Sequence, residues 1–161
     1  MIDVIRNAKY SIYLTTPYFI PDLRLLRVLR LAAKRGVDVR LLVPEFADHF
    51  MITSARESYF SLLLKSGIRV YRYRGRMMHA KTAVVDGEWG TIGSFNLDNL
   101  SFLFNYEANV VSTDKQFVEA VQSHFFSDIQ LAEELKYETW MKRPILQRIR
   151  ELLTWPFHQI L

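Results

Sequence analysis

The opening part of the chain alternates between the hydrophobic pattern of a strand and that of a helix. Residues 11–16 alternate apolar with polar side chains, which predicts a strand. Apolar residues at helical spacing then predict a helix over 23–34, with Asp22 as its N-cap and Gly36 as its C-terminal stop. A short β-branched and apolar run over 37–43 predicts a buried strand.

The rest of the chain continues this alternation and then adds a hairpin. The pair Asp86-Gly87 is typical of a tight turn, so we expect the strands on either side of it to pair. The pattern predicts an α/β fold, in which helices flank both faces of a mixed sheet. The other predicted elements are a helix end at 2–9, a helix over 47–66, strands over 68–73, 80–85, 89–92 and 108–112, a long helix from Asp114 to about Leu135, and a last helix over 144–154.

The end of the chain has a composition of its own, so we divide the chain into a main domain over 1–140 and a basic amphipathic C-terminal helix over 141–161. The pattern suits a helix that lies in a membrane interface. A helix packed on its own domain would show the same pattern, and both interpretations stay open. Its apolar residues fall on one stripe flanked by cations and tryptophans, namely Ile145, Leu146, Ile149, Leu152 and Leu153 with Lys142, Arg143, Arg148, Arg150, Trp140 and Trp155.

Composition limits the kinds of site that the chain can hold. None of its 161 residues is cysteine, which excludes disulfides and thiolate metal sites. The net charge of +4 permits an anionic partner such as phospholipid, nucleic acid or phosphate. No apolar run approaches the roughly 20 residues that span a bilayer, and the first residues lack the pattern of a signal peptide. We therefore expect a soluble or peripheral chain.

The cations are concentrated in one window of the sequence. Between Glu57 and Asp86 there is no acidic residue, and Arg72, Arg74 and Arg76 share one face of a predicted strand. One interpretation is a basic rim that binds anionic lipid headgroups. The alternative is a solvated strand edge, on which positive charge prevents aggregation. The neighbouring tyrosines lie on the opposite face, so stacking on nucleic-acid bases is not favoured.

Four side chains of complementary chemistry are predicted to meet on one rim of the hairpin. His79 and Lys81 stand two apart at the start of one strand, so their side chains share a face. Ser94 and Asn96 have the same spacing at the end of the returning strand. Imidazole is a nucleophile or general acid, and ammonium, hydroxyl and carboxamide groups bind phosphoryl oxygens. One histidine beside Lys and Asn is a poor metal-ligand set, so we expect metal-free phosphoryl transfer without a cofactor.

The spacing of these residues resembles the HKD motif of the phospholipase D superfamily. Glu107 falls where that superfamily places a carboxylate that orients the histidine. Segments 16–22, 35–44 and 79–107 are most similar to the C-terminal half of bacterial cardiolipin synthases. The motif is His-x-Lys, then Asp, then Gly-Ser-x-Asn, and it corresponds here to His79, Lys81, Asp86, Gly93, Ser94 and Asn96.

The resemblance implies a phospholipase D-like half-domain that carries out a two-step phosphatidyl transfer. One histidine attacks phosphorus and forms a phosphohistidine, and a histidine of a second motif protonates the leaving alcohol. His79 is then nucleophile or general acid, oriented by Glu107. Asp86 supports the motif structurally. The phosphate is held by the remaining polar residues of the motif, Lys81, Ser94 and Asn96.

The chain contains a single copy of this motif. Its other histidines, His49, His124 and His158, are not followed by lysine two residues later. We therefore expect a second half-site, either in a longer two-lobed protein or in a second copy of this chain. The start at Met1, directly before a helix end, favours a piece of a longer protein.

Three functions remain as hypotheses. The first is a phosphatidyl transferase that makes cardiolipin from phosphatidylglycerol, peripheral to the cytoplasmic side of a bacterial inner membrane. The second is a phospholipase D-type phosphodiesterase or nuclease that acts as a homodimer, with nucleic acid the less favoured substrate. The third is a non-catalytic membrane-binding half-domain. Lipid products, metal-independent DNA cleavage and vesicle binding without turnover would distinguish the three.

Overall fold

The computed structural model of this chain describes residues 1–46, 50–74, 77–98 and 106–154. The helices in these ranges are α1 (Ile2–Asn7), α2 (Leu23–Lys34), α3 (Phe50–Lys65), α4 (Lys115–Ile129), α5 (Tyr137–Met141) and α6 (Ile145–Thr154). The strands are β1 (Ser11–Thr15), β2 (Phe19–Ile20), β3 (Asp38–Pro44), β4 (Arg69–Tyr73), β5 (Thr82–Val85), β6 (Trp89–Gly93), β7 (Leu97–Asp98), β8 (Asn109–Ser112) and β9 (Ala132–Glu134).

Seven strands form one mixed sheet, in the order β8-β6-β5-β1-β3-β4-β9. β1, β3 and β4 are parallel neighbours, whereas β5, β6, β8 and β9 run antiparallel to their partners. The carboxyl ends of the parallel strands therefore lie at the same edge as the open end of the β5–β6 hairpin. We call this edge the carboxyl edge. β2 and β7 form a separate parallel pair.

Helices cover both faces of this sheet because successive strand residues point to opposite faces. Along β1, Ile12 and Leu14 belong to the core that includes residues of α1, α2 and α3. Tyr13 lies between them in sequence and joins the opposite cluster, which includes residues of α4. Its ring stacks on Phe125 with 5.1 Å between the ring centroids. The predicted α/β fold, a mixed sheet with helices on both faces, is confirmed.

The α2 helix forms where the sequence predicts it and is capped as expected. The Asp22 carboxylate accepts a hydrogen bond from the Leu25 backbone N–H at 2.7 Å. Leu25 and Leu29 are buried in the core, as their spacing indicates. Gly36 follows the helix with a φ of +92°, a conformation that glycine adopts without steric cost.

The predicted helix from Asp114 to about Leu135 is wrong at its end. α4 stops earlier, and β9 forms a short edge strand beside β4. Glu134 of β9 holds Arg69 of β4 through two bonds, Nε to Oε1 at 3.0 Å and Nη2 to Oε2 at 3.1 Å. This pairing joins residues that are far apart in sequence, so the local pattern of polar residues after α4 could not reveal it.

Smaller differences affect the other boundaries. β5 begins at Thr82, two residues later than predicted, and the short elements β2, β7 and α5 were not predicted. Residues 47–49, the predicted start of the second helix, lie outside the described residues. None of the described helices combines the length and apolar character that crossing a bilayer requires.

Candidate active site

The β5–β6 hairpin carries most of the predicted site at its open end. Asp86 and Gly87 turn the chain with left-handed φ values of +56° and +67°, within a three-residue connection, since Val85 pairs with Trp89. Thr82 then pairs with Ile92. One step further, the Gly93 N–H donates to the Lys81 carbonyl at 3.2 Å. The two halves of the motif therefore meet at the carboxyl edge.

Asp86 lies at the other end of the hairpin and fastens it to β1. Its carboxylate accepts hydrogen bonds from the backbone N–H groups of Lys9, Tyr10 and Ser11 at 2.8, 2.7 and 2.8 Å. Burial alone would raise the pKa of Asp86, but these donors outweigh it, and the pKa lies below its usual value. Asp86 therefore attaches the turn of the hairpin to the start of β1, whereas Lys81 and Gly93 lie at the opposite end of the strands.

Lys81 and His79 differ in their exposure to solvent. The Lys81 side chain belongs to a residue that is 8% exposed, and its Nζ donates to the His79 carbonyl at 2.8 Å. His79 is exposed and contacts the ring of Tyr18 edge to face, with 6.0 Å between centroids. Both residues precede β5, so they do not lie within the strand as expected, and a shared face for their side chains stays a prediction. The lysine instead braces the backbone of the exposed histidine.

Ser94 forms a compact hydrogen-bond unit with the start of β8. Its hydroxyl donates to Glu107 Oε2 at 2.5 Å and accepts from the Ala108 N–H at 3.0 Å. Its own N–H donates to the Ala108 carbonyl at 3.0 Å. The sequence did not predict a bond between Ser94 and Glu107. The expected role of Glu107 in orienting His79 stays a prediction.

Gly93 is required by the close approach of β8. A side-chain carbon at this position would lie 1.8 Å from Asn109 Oδ1 and 2.3 Å from the Ala108 carbonyl oxygen. Both distances are far inside van der Waals contact. Asn109 Oδ1 also accepts from the Phe95 N–H at 3.3 Å. The glycine therefore allows β8 to approach closely and to form hydrogen bonds with the segment that contains Ser94 and the half-buried Asn96.

The geometry so far places exposed His79 and buried Lys81 before β5, and Ser94 and Asn96 after the paired β6, at the carboxyl edge of one mixed sheet between two helical layers. The family model described as "Cardiolipin synthase, PLD-like domain" matches residues 1–129 of this chain. The chain belongs to this family. Among its relatives, the major cardiolipin synthase ClsA of Bacillus subtilis is 41% identical over 150 residues, covering 93% of this chain and 31% of the relative. The PLD-like domain spans about a third of the length of such relatives.

Solved structures extend the likeness to the fold. A phospholipase D family member, Nuc from Salmonella typhimurium, is 25% identical with a TM-score of 0.72, covering 84% of this PLD-like domain and 88% of that chain. The phosphatidylserine synthase of Haemophilus influenzae has a TM-score of 0.74 at 16% identity, covering 99% of this domain and 41% of that chain. At such low identity the second likeness shows the fold alone.

The basic rim predicted for the PLD-like domain is neutralised in part by acids that are distant in sequence. Arg72 and Arg74 each pair with Glu133 of β9 at 2.7 Å, and Arg74 also lies 3.5 Å from Glu45. Arg76 lies outside the described residues. The absence of acids between Glu57 and Asp86 therefore does not make this surface uniformly basic. Substrate binding by the three arginines stays a prediction.

A buried arginine that the sequence did not indicate supports the carboxyl edge. Arg56 of α3 is fully buried, and its guanidinium donates to the Pro17 carbonyl at 3.2 Å and the Glu45 carbonyl at 3.3 Å. Burial lowers its pKa to about 10, so it stays charged at neutral pH. Pro17 immediately precedes Tyr18, which contacts His79. An arginine within a helix usually faces solvent, so no local signal marks this role.

The described residues contain no group of three or more His, Asp and Glu side chains that could hold a metal ion. At the carboxyl edge the motif contributes an imidazole, an ammonium and hydrogen-bond donors. Such a set can attack phosphorus and stabilise charge on phosphoryl oxygens.

Proposed function

We propose that this PLD-like domain supplies one of the two half-sites of a phosphatidyl transferase that makes cardiolipin from phosphatidylglycerol. The observation that carries the proposal is the exposed His79 imidazole at the carboxyl edge, with Lys81 bonded to its backbone and Ser94 on the paired strand segment. Membership of the cardiolipin synthase family supplies the substrate class. If the substrate were a soluble phosphodiester rather than a lipid, membership of this family would have no explanation.

In the proposed chemistry, the reaction proceeds through two displacements at one phosphorus. A histidine nitrogen forms a bond to phosphorus while the bond to the glycerol oxygen breaks, and the departing oxygen takes a proton from the second histidine. The hydroxyl oxygen of another phosphatidylglycerol then attacks phosphorus, the phosphorus–nitrogen bond of the phosphohistidine breaks, and the hydroxyl proton passes to that second histidine. His79 serves as the nucleophile or as the general acid. Lys81 and Asn96 stabilise the charge on the non-bridging oxygens.

Ser94 has to change partners to take part. A hydroxyl has one proton, and in the resting structure that proton is directed to Glu107. Binding of a phosphoryl group would redirect it to a non-bridging oxygen. The Ala108 N–H would continue to hold the Ser94 oxygen in place during this change.

The second half-site comes from outside the described motif. The domain spans about a third of the curated relatives that it matches, so a longer polypeptide has room for another half-site. We propose that the second histidine lies in such a polypeptide, and that the enzyme works as a peripheral protein at the cytoplasmic side of a bacterial inner membrane.

A phosphodiesterase built from two copies is the second candidate. It is supported by the similarity to Nuc, a phospholipase D family member whose chain is matched over 88% of its length. In that case, a dimer of this domain alone would cleave phosphodiesters. Sedimentation velocity combined with a hydrolysis assay on the 161-residue chain would detect it.

The decisive experiment uses vesicles that contain phosphatidylglycerol and the enzyme with both half-sites. His79→Ala is expected to abolish cardiolipin formation, because no other described group at the carboxyl edge is an imidazole. His124→Ala, which changes an exposed histidine of α4, is the matched control and should keep full activity. Cardiolipin formation by His79→Ala at the parental rate would refute the proposal.

A further inference from the structure

The α6 helix packs on the domain through its polar side. Glu151 is 5% exposed, and its carboxylate accepts two bonds from Arg143, from Nε at 2.7 Å and from Nη2 at 2.5 Å. Gln147, one turn earlier, donates to Glu57 Oε2 of α3 at 2.9 Å. Burial raises the pKa of Glu57, and the bond from Gln147 opposes that rise. These contacts fix the rotation of α6 about its own axis.

The apolar side of α6 consequently faces outward. A surface helix normally buries its apolar stripe and exposes its polar side, so this arrangement is reversed. Large exposed apolar patches on soluble proteins usually mark surfaces that bind a partner or a membrane. The exposed fractions of the five apolar residues on this side are 73% for Ile145, 60% for Leu146, 47% for Ile149, 72% for Leu152 and 66% for Leu153.

Cations border the apolar stripe on both sides. At 100° per residue, Arg148 and Arg150 flank the stripe on opposite sides, and exposed Lys142 lies just before the helix. The only acid within α6 is Glu151, which is buried against Arg143. The outward side of α6 therefore carries apolar groups between cations and no carboxylate. An amphipathic helix that lies in the headgroup layer of an anionic bilayer has this distribution.

A cavity of about 470 Å³ between β9 and the two C-terminal helices adjoins this end of α6. Lys136, Lys142 and Arg143 line it, together with Glu133 and Glu134. Lys142 forms none of the ion pairs found among the described residues. A lipid headgroup phosphate at this end of α6 would have a cation available to it.

We propose that the outward side of α6 docks the domain onto an anionic phospholipid bilayer, with the helix lying parallel to the membrane plane. A second copy of the chain is a poorer occupant, because two such faces would bring Arg148 and Arg150 against like charges. The docking goes beyond the proposed transfer chemistry, since it uses neither His79 nor the other motif residues.

The test is sedimentation of the 161-residue chain with vesicles of phosphatidylglycerol and phosphatidylcholine. The parent is expected to bind, and Leu152→Ser/Leu153→Ser to bind at least ten-fold more weakly. Both side chains are exposed, so folding should be unaffected, which circular dichroism would check. The matched control is Leu23→Ser/Leu31→Ser on α2, whose side chains are also exposed, at 83% and 45%. This control should bind like the parent.

Variants that reverse charge, and measurements of the oligomeric state, give the remaining outcomes of the test. Lys142→Glu/Arg148→Glu should weaken binding by more than about five-fold per charge, since each cation near such a surface contributes about that factor. Pure phosphatidylcholine vesicles should bind the parent weakly. Undiminished binding by the α6 variants would overturn the proposal, as would conversion of a parental dimer to a monomer by Leu152→Ser/Leu153→Ser. His79→Ala should keep vesicle binding, which separates docking from catalysis.

Discussion

At the scale of single residues, the meeting of the two halves of the motif could be predicted from the sequence, but the surroundings of the motif could not. The spacing of His79, Lys81 and Ser94 identified the groups that meet at the carboxyl edge. Their exposure was not predictable, because it depends on where β5 begins and on which strands neighbour the hairpin. Likewise, Glu133 contacts Arg72 and Arg74 only because β9 returns to the sheet.

Gly93 offers a test of how closely β8 must approach the motif. Gly93→Ala should lower the free energy of unfolding by about 1–3 kcal/mol, the usual cost of overpacking. It should also reduce phosphatidyl transfer, because the added carbon displaces either the Ala108 carbonyl or Asn109 and thereby Ser94. Thermal unfolding and cardiolipin formation by the enzyme with both half-sites would measure the two effects.

Two further variants make that test specific. Gly90→Ala lies on the same strand, and its added carbon would meet side-chain carbons no closer than 3.4 Å, so its effect should be smaller. Adding Asn109→Ala to Gly93→Ala removes the 1.8 Å clash but leaves the Ala108 carbonyl at 2.3 Å. We therefore expect incomplete rescue. Equal stability of Gly93→Ala and Gly90→Ala would contradict the explanation.

At the scale of elements, the sequence predicted those with strong local signals. α2 has its N-cap and its terminal glycine, and the β5–β6 hairpin has its turn pair, so α2 and the turn appear where expected. β9 was not predicted, because its stability comes from pairing with β4 rather than from its own composition. β2 and β7 are two residues long each, too short to leave a periodic pattern.

The attachment of the hairpin to β1 has a predictable pH dependence. The folded-state pKa of Asp86 lies below its usual value of 3.8, so ionised Asp86 stabilises the folded state. That stabilisation is complete above the usual value and is lost as the pH falls through the lower folded-state pKa. Asp86→Asn should therefore lower the free energy of unfolding at neutral pH by about 1.5–3 kcal/mol, the range for hydrogen bonds to charged groups.

Asparagine is a suitable replacement because it tolerates the positive φ of this position. Denaturant unfolding at neutral pH and at acidic pH should show the difference between parent and Asp86→Asn shrinking on acidification. Asp3→Asn, at an exposed position of α1, is the control and should have little effect at either pH. A difference that stays constant as the pH falls would show that the carboxylate charge has no part in fastening the hairpin.

At the scale of the whole molecule, the carboxyl edge is organised from the helical layer as well as from the sheet. The loop after β1 places Tyr18 in contact with the ring of His79, and the loop after β3 places Glu45 in an ion pair with Arg74. Arg56 reaches both loops from α3 through their backbone carbonyls. Buried Arg56 thus links the position of Tyr18, which contacts His79, to the position of the basic rim.

This coupling predicts that Arg56 is a positioning residue whose loss affects rate more than stability. Arg56→Met keeps most of the side-chain volume and removes a buried charge, which offsets the loss of two hydrogen bonds. The free energy of unfolding should change by less than about 3 kcal/mol. The turnover number should fall by about 10–100-fold, the scale expected when reacting groups are displaced by about 1 Å.

A comparison with a second arginine distinguishes positioning from a general structural role. Arg30→Met on α2 removes a bond to Ser66, at the other end of α3 from the carboxyl edge, and should leave turnover unchanged. For Arg56→Met in the enzyme with both half-sites, kcat should fall while KM stays near the parental value, because Arg56 touches loops rather than lipid. If KM rises and kcat is unchanged, the guanidinium acts on substrate binding, and the coupling of the two loops does not control the histidine.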